Sequence, residues 1–431
     1  MKPLFTRPFF LIYRALWRMA RPFLKKSKRL ADGWEERMGS LPAQADPAEL
    51  WIQAASGGEA RIAMAICQAL PVSAAFPVTV ATWTRQGLDV VEKEKKAVLD
   101  RHPQLALSAR FAPFDQPDIV SGVLRQAGPS TVLLLETELW PGLLAACREL
   151  GIPVHVINGR ITNSTVRFAR LFSPLMKALS PSSIHATSEK DRQAFASIFP
   201  CGASVMPNIK FAQAFDALNQ PLKARPAILR PDTPVFLFAS LRGSDETRLP
   251  RLFPLLFQRH PEAVIVLAPR HLHRVAAWRE VLDDIGMRPL LWSEFPQGEQ
   301  LPAGRVLLWD HFGDLAQLYA SAQAVYVGGA FKEGGQNFLE ALSAGSIPCI
   351  GPNAHNFTWA LHKEGPDKPT LKESGLLRIA RSPQEVGRAM LSQLEAPQNR
   401  ESVRRAFRQW LEPRLSGAAI AVEVACRSLR R

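Results

Sequence analysis

From Leu50 onward the chain alternates short apolar runs with longer stretches of helical periodicity, in two series separated by a proline-bearing segment. A strand buried on both faces needs a continuous apolar run, and its parallel neighbour needs a helical crossover, so this pattern predicts parallel sheets covered by helices. The first series has strand candidates at 50–55, 78–82, 108–112, 131–135, 154–158 and 184–186; the second at 235–239, 263–268, 305–309, 324–327 and 347–350. The expected fold class is α/β, with two Rossmann-like doubly wound domains facing a cleft and ligands bound beyond the carboxyl ends of the strands. A length of 431 residues suits two such cores. The expected segments are a basic amphipathic helix (1–30), a first domain (31–210), a linker (211–234), a second domain (235–400) and C-terminal helices (401–431).

Lys and Arg number 53 against 39 Asp and Glu, and a net charge of +14 attracts nucleic acid, an anionic membrane surface or an anionic substrate. Nucleic acid is disfavoured, because outside the N-terminus the basic residues are scattered and no recognition motif occurs. Residues 9–25 place Phe9, Ile12, Tyr13, Leu16, Met19, Ala20 and Phe23 on one helical face, with Arg14, Arg18, Arg21 and Lys25 opposite. Such a helix lies in the headgroup layer of an anionic membrane, or else packs its apolar face on the protein body. The basic run continues through Lys26, Lys28 and Arg29, which favours the membrane surface; Pro22 is expected to break or bend the helix. No apolar run reaches the ~18 residues of a conventional spanning helix.

The residues that could carry chemistry follow the strands. Gly328-Gly329-Ala330 and Gly334-Gly335-Gln336-Asn337-Phe338-Leu339-Glu340 precede a helical pattern. Glycine pairs there allow close backbone approach, free N–H groups suit a phosphate, and Glu340 suits a ribose diol; Asn337 as a plain N-cap is the competing reading. Ser240 to Glu246, Arg270-His271 and Lys210 supply further donors and cations for an anion. Glu35, Glu36, Glu59, Glu136 and Glu138 are candidate bases for an acceptor hydroxyl, and capping or pairing with Arg37 would also explain them. Five separated cysteines without CxxC, and nine histidines without HExxH or HxxxH, predict no disulfide framework, no metal and no cofactor. There is no P-loop, GxSxG elbow or Asp-x-Asp triplet, so leaving-group charge would be met by N–H groups, Arg and Lys.

In order, GWEERMG (33–39), WIQAASGGE (51–59), TWTRQG (82–87), FAPFDQP (111–117), ETELWPGLL (136–144), INGRITNST (157–165), PNIKF (207–211), ASLRGSDE (239–246), APRHLHR (268–274), DHFGDLAQLY (310–319) and GGAFKEGGQNFLEALSAG (328–345) resemble the 3-deoxy-D-manno-octulosonic acid (Kdo) transferases. The resemblance implies a GT-B-type inverting glycosyltransferase that moves Kdo from CMP-Kdo to a lipid A precursor. It implies an anionic membrane surface as partner and action at the cytoplasmic face of the inner membrane. Carried over by motif, Glu36 would be the general base. Ser240, Arg270 and Gly335 to Asn337 would hold the CMP phosphate, and Glu340 the ribose. Lys210 would meet the phosphate or the sugar carboxylate, while Glu59 and Glu138 would serve the acceptor side. The chain departs from the usual pattern at Gln53, Gly57, Gly142, Leu241-Arg242, Asp245 and Gln336, which bears on acceptor and sugar identity. A GT-B transferase or epimerase using another nucleotide sugar, and a catalytically silent nucleotide binder at the membrane surface, are the competing functions.

Overall fold

The computed structural model describes residues 6–40, 48–296, 298–311, 313–363 and 368–429, without the side chains of Thr6, Arg7, Lys28 and Arg29. Residues 1–5 of the expected N-terminal segment, the Lys28 and Arg29 side chains of its basic run, Phe312 of the 310–319 motif and the last two residues of 401–431 therefore lie outside the description. The chain divides into two compact units, 1–212 with 414–431, and 213–413.

The first unit holds seven strands: β1 (Leu50–Ala54), β2 (Pro77–Thr82), β3 (Ala106–Phe111), β4 (Thr131–Leu135), β5 (Val154–Gly159), β6 (Ser183–Ala186) and β7 (Ala203–Val205). Their order is β3-β2-β1-β4-β5-β6-β7 and every pairing is parallel. Side chains alternate between the two faces of a strand. Leu50, Ile52, Ala54, Leu133 and Leu135 thus enter one core, with the helices Gly57–Ala69, Arg85–Arg101 and Gly417–Leu429. Trp51, Val132, Leu134, Val154 and Val156 enter the other, with the helices Pro117–Ala127 and Pro141–Leu150. Ser56 and Thr84 start their helices by accepting from the amides of Glu59 and Gly87. Gly128 and Gly151, at φ 63° and 71°, stop theirs.

The second unit repeats the plan with β8 (Val235–Leu241), β9 (Val264–Pro269), β10 (Leu290–Leu291), β11 (Val306–Leu308), β12 (Ala324–Val327), β13 (Pro348–Ile350) and β14 (Arg378–Ile379). Their order is β10-β11-β9-β8-β12-β13-β14, again parallel throughout. Phe236, Phe238, Ile265, Leu267 and Tyr326 fill one face beneath Trp278, Val386 and Met390.

Three expectations need correction. The proline-bearing segment is helical at its start, as the helix Lys210–Asn219, because apolar Phe211, Ala214 and Leu218 recur at helical spacing ahead of Pro221. The C-terminal helices divide: Arg400–Leu411 belongs to the second unit and Gly417–Leu429 to the first. The first helix, Thr6–Lys26, does not break at Pro22: the Arg18 carbonyl that loses its amide partner lies on an exposed turn, where water can donate to it. Its apolar stripe also splits. Phe9, Phe10, Tyr13 and Trp17 are half-buried against the unit, while Ile12, Leu16, Met19 and Phe23 are exposed.

Candidate active site

The strand order reverses between β1 and β4 in the first sheet and between β8 and β12 in the second. Connections leaving such a pair go to opposite faces and open a crevice at the carboxyl ends, where ligands of open parallel sheets bind. Each unit has one, and their chemistries differ.

In the first unit Glu59 follows β1, and Glu136 and Glu138 follow β4. The Ser56 hydroxyl accepts from Glu59 N at 3.4 Å, and the Glu59 carboxylate accepts from Ala55 N at 2.5 Å, a reciprocal cap. Burial pushes the Glu59 acid up to about 7; the Ala55 amide opposes this, and the nearby Glu138 and Glu136 reinforce it. Glu138, only 8% exposed, accepts from the indoles of Trp83 at 3.1 Å and Trp140 at 2.7 Å. Burial raises it also to about 7 against those two donors. Glu136 stands at φ 53° and Asn158, near the end of the adjacent β5, at φ 58°. A left-handed backbone costs a residue with a side chain roughly 1–3 kcal/mol and persists only where its surroundings enforce it. Here Asn158 Oδ1 accepts from Ile209 N at 2.9 Å, and Lys210 Nζ lies 2.5 Å from Glu136 Oε1. Lys210 is thus ion-paired within the carboxylate cluster. A cluster with two acids near 7 can exchange protons and hydrogen bonds with hydroxyl groups at neutral pH.

Glu36 lies on the short helix Trp34–Arg37 beside the end of β3, two strands from β1. Its Oε1 is 3.7 Å from the Arg110 guanidinium, which burial lowers to about 10. Burial raises Glu36 from its ordinary value, with Arg110, the Phe111 amide, Arg37 and Arg85 pulling the other way.

In the second unit a register shift at the end of β8 sets Ser240 at φ 53°. Five residues on, the buried Asp245 accepts from Arg242 N and Gly329 N, both at 2.8 Å, and from the Tyr326 hydroxyl at 3.1 Å. It ties the β8 turn to the glycine turn after β12. These approach so closely that a Cβ on Gly328 would lie 2.6 Å from Asp245 Oδ2 and 2.8 Å from Leu241 Cα. Burial raises Asp245 to about 6. The Arg242 guanidinium lies 3.0 Å from His271 Nε2, and Arg270 is exposed just past β9. Burial and the charges of Arg242 and Arg270 lower the His271 pKa. Ser244 donates its amide and hydroxyl to Glu333.

The helix expected to start at Gly335 to Asn337 starts at Leu339 instead, because Gly334 and Gly335 turn at φ 88° and 83°. Asn337 caps from outside it: its Oδ1 accepts from Leu339 N at 3.3 Å and its amide donates to Glu340 at 2.8 Å. Ser240, Arg270, Gly335, Asn337 and Glu340 therefore belong to the second unit, and Glu36, Glu59, Glu138 and Lys210 to the first. Sequence reasoning set Glu136 beside Glu138 but had no signal for its left-handed backbone or its ion pair. Among the described residues, no helix is long and apolar enough to cross a membrane, and no group of three or more His, Cys, Asp or Glu is placed to hold a metal ion.

A family model described as 3-deoxy-D-manno-octulosonic-acid transferase matches residues 32–213. The 3-deoxy-D-manno-octulosonic acid transferase of Bordetella pertussis is 31% identical over 361 residues, 80% of this chain and 81% of that one. The protein of the same name from Rickettsia conorii is 27% identical over 337 residues, 74% of this chain and 68% of its own. Among solved structures, a glycosyltransferase from Rickettsia africae superposes with a TM-score of 0.58 at 10% identity, over 89% of this chain and 99% of that one, a likeness of fold alone. The GT-B architecture is common to both, and the agreement with the Bordetella protein runs through four-fifths of each sequence. On that extent of identity the chain belongs to the 3-deoxy-D-manno-octulosonic acid transferase family.

Proposed function

We propose that this protein is an inverting transferase that moves Kdo from CMP-Kdo to a lipid A precursor at the cytoplasmic face of the inner membrane. The observation that carries the reading is the division of polarity between the two crevices. One has three neighbouring carboxylates, of which Glu136 is ion-paired to Lys210, suited to the hydroxyl groups of an acceptor; the other has glycine turns with Arg242 and Arg270, suited to a phosphate. In the reaction the acceptor oxygen forms a bond to the anomeric carbon of Kdo. The bond from that carbon to the phosphate oxygen breaks, its electron pair leaves with CMP, and the acceptor proton passes to Glu36. A single displacement inverts the anomeric centre. Glu36, partly desolvated and raised in pKa, is suited to receive the proton.

Arg270, Ser240 and the turn Gly335 to Asn337 would stabilise the departing phosphate without a metal, and Glu340 would take the ribose. Lys210, held by Glu136, would orient the acceptor side or exchange partners to the sugar carboxylate. The exposed stripe Ile12, Leu16, Met19 and Phe23, with Arg18 and Lys25 also exposed, supports contact with an anionic membrane surface. The test is mass spectrometry of a tetraacylated lipid A precursor incubated with the purified full-length protein and CMP-Kdo generated in place. The expected product is heavier by one or more Kdo residues. An unmodified lipid would overturn this reading in favour of another nucleotide sugar or a silent binder.

A further inference from the structure

The first helix docks on residues 114–118 along its inward face. The Tyr13 hydroxyl donates to Asp115 Oδ2 at 2.7 Å, Arg14 pairs with Asp118 at 2.9 Å, the Trp17 ring is centred 5.7 Å from that of Phe114, and Arg21 donates to Gln116. Asp115 is 1% exposed and also accepts from the body of the unit, at Oδ2 from Gly142 N at 2.8 Å and at Oδ1 from Leu143 N at 2.7 Å. Those amides open the helix Pro141–Leu150 and have no acceptor within it. The approach leaves no room for a side chain at Gly142, where a Cβ would lie 2.2 Å from the Asp115 carbonyl oxygen. Just before that helix, Trp140 donates to Glu138, and Trp83, which donates to the same carboxylate, is centred 6.3 Å from Phe114. One buried carboxylate thus joins the N-terminal helix to the turn that carries Glu138.

We propose that Asp115 is a positioning residue for the Glu138–Trp140 turn, and that the inward face of the first helix, acting through Tyr13, is a working part of the acceptor side of the site. This rests on the reading of the first crevice as the acceptor side. A carboxylate shielded from water needs all its donors. Without the Tyr13 hydroxyl, Asp115 loses one of its donors and its tie to the first helix, so it is held less firmly, the first turn of Pro141–Leu150 loosens, and the Trp140 indole fixes Glu138 less well. The outward stripe can then serve a membrane while the inward face serves the site, two roles in one helix.

Full-length Tyr13→Phe tests this, since it keeps the ring packed on Phe9 and Trp17 and removes one hydroxyl. Val98→Ala, a core truncation in the helix Arg85–Arg101 of the same unit, is the control for general loss of stability. Amide exchange at Gly142 and Leu143 is expected to quicken about tenfold in Tyr13→Phe, with β2 amides unchanged. The KM for the lipid acceptor is expected to rise roughly three- to tenfold with that for CMP-Kdo unaltered, and Val98→Ala to show neither effect. Asp115→Asn, which keeps one acceptor oxygen, moves both readouts further in the same direction. Unchanged exchange at Gly142 and Leu143 in Tyr13→Phe, or an equal rise in acceptor KM in Val98→Ala, would overturn the proposal. Failure of the transfer reading itself is distinct: the wild-type chain then forms no product, and amide exchange alone decides whether Tyr13 holds the turn.

Discussion

The two crevices occupy the same topological position and have opposite chemistry. After β1 and β4 the chain presents Glu59, Glu136 and Glu138, and draws in Lys210; after β8 and β12 it presents glycine turns, Arg242 and Arg270. Carboxylates occur in both, yet their work differs. Asp245 in the second unit is fully spent on two amides and a phenol, fixing loop geometry, and Glu333 is taken up by Ser244. In the first unit burial pushes Glu59 and Glu138 up to about 7, against about 6 for Asp245, and we propose that they meet a ligand's hydroxyls. A parallel sheet supplies the crevice; what binds there depends on whether the acidic side chains serve the loops or the ligand.

The sharpest way to break this contrast is to remove the proposed base. Glu36→Ala should lower kcat by about a thousandfold while CMP binding, read by calorimetry, stays within twofold. Activity near that of the wild type would place the base elsewhere, with Glu59 and Glu138 next in line. Arg270→Ala should raise the KM for CMP-Kdo roughly tenfold and leave the acceptor KM alone; a change in both would mean that the two polarities are not divided as proposed. The smallest effect is on stability. Glu138 and Asp115 titrate near 7 in the folded protein because burial disfavours their anions, against ordinary values of 4.5 and 3.8. The folded chain therefore keeps protons that the unfolded chain has released, so their contribution to stability is greatest below about pH 4 and declines as pH rises to 7. Glu138→Gln should flatten that decline and stabilise the protein by about 1–3 kcal/mol at pH 8, measured by urea unfolding. A slope identical to the wild type would show that Glu138 is not desolvated.

Most of the sheet was legible because buried parallel strands are written as apolar runs, such as Thr131 to Leu135 between Ser130 and Glu136. The strands that escaped notice, β7, β10 and β14, are two or three residues long, and each lies at a sheet edge, where burial imposes no pattern. Candidate site residues were legible where they lie at the end of a strand or in the turn or helix start just past it, as Ser240, Glu138 and Glu59 do. Asp115 was not, because its meaning lies in Tyr13, 102 positions earlier, and in Gly142, 27 positions later. The helical wheel erred for a related reason. It sorted Tyr13 with Leu16 by hydropathy, whereas the protein body gives Tyr13 a buried carboxylate partner and leaves Leu16 exposed.

The helix Gly417–Leu429 completes the core of a unit begun hundreds of residues earlier, seating Ala418, Ala421, Val422 and Ala425 among side chains from β1 and β4. Its first residue abuts the Pro207 carbonyl, close enough that any Cβ would collide at 2.4 Å. On the ribosome, domains ordinarily fold in the order they are made. Here the second unit is complete while the first still lacks a wall, so the half synthesised first is finished last. A stop codon just ahead of Gly417 would strike the amino-terminal sheet and spare the carboxyl-terminal one.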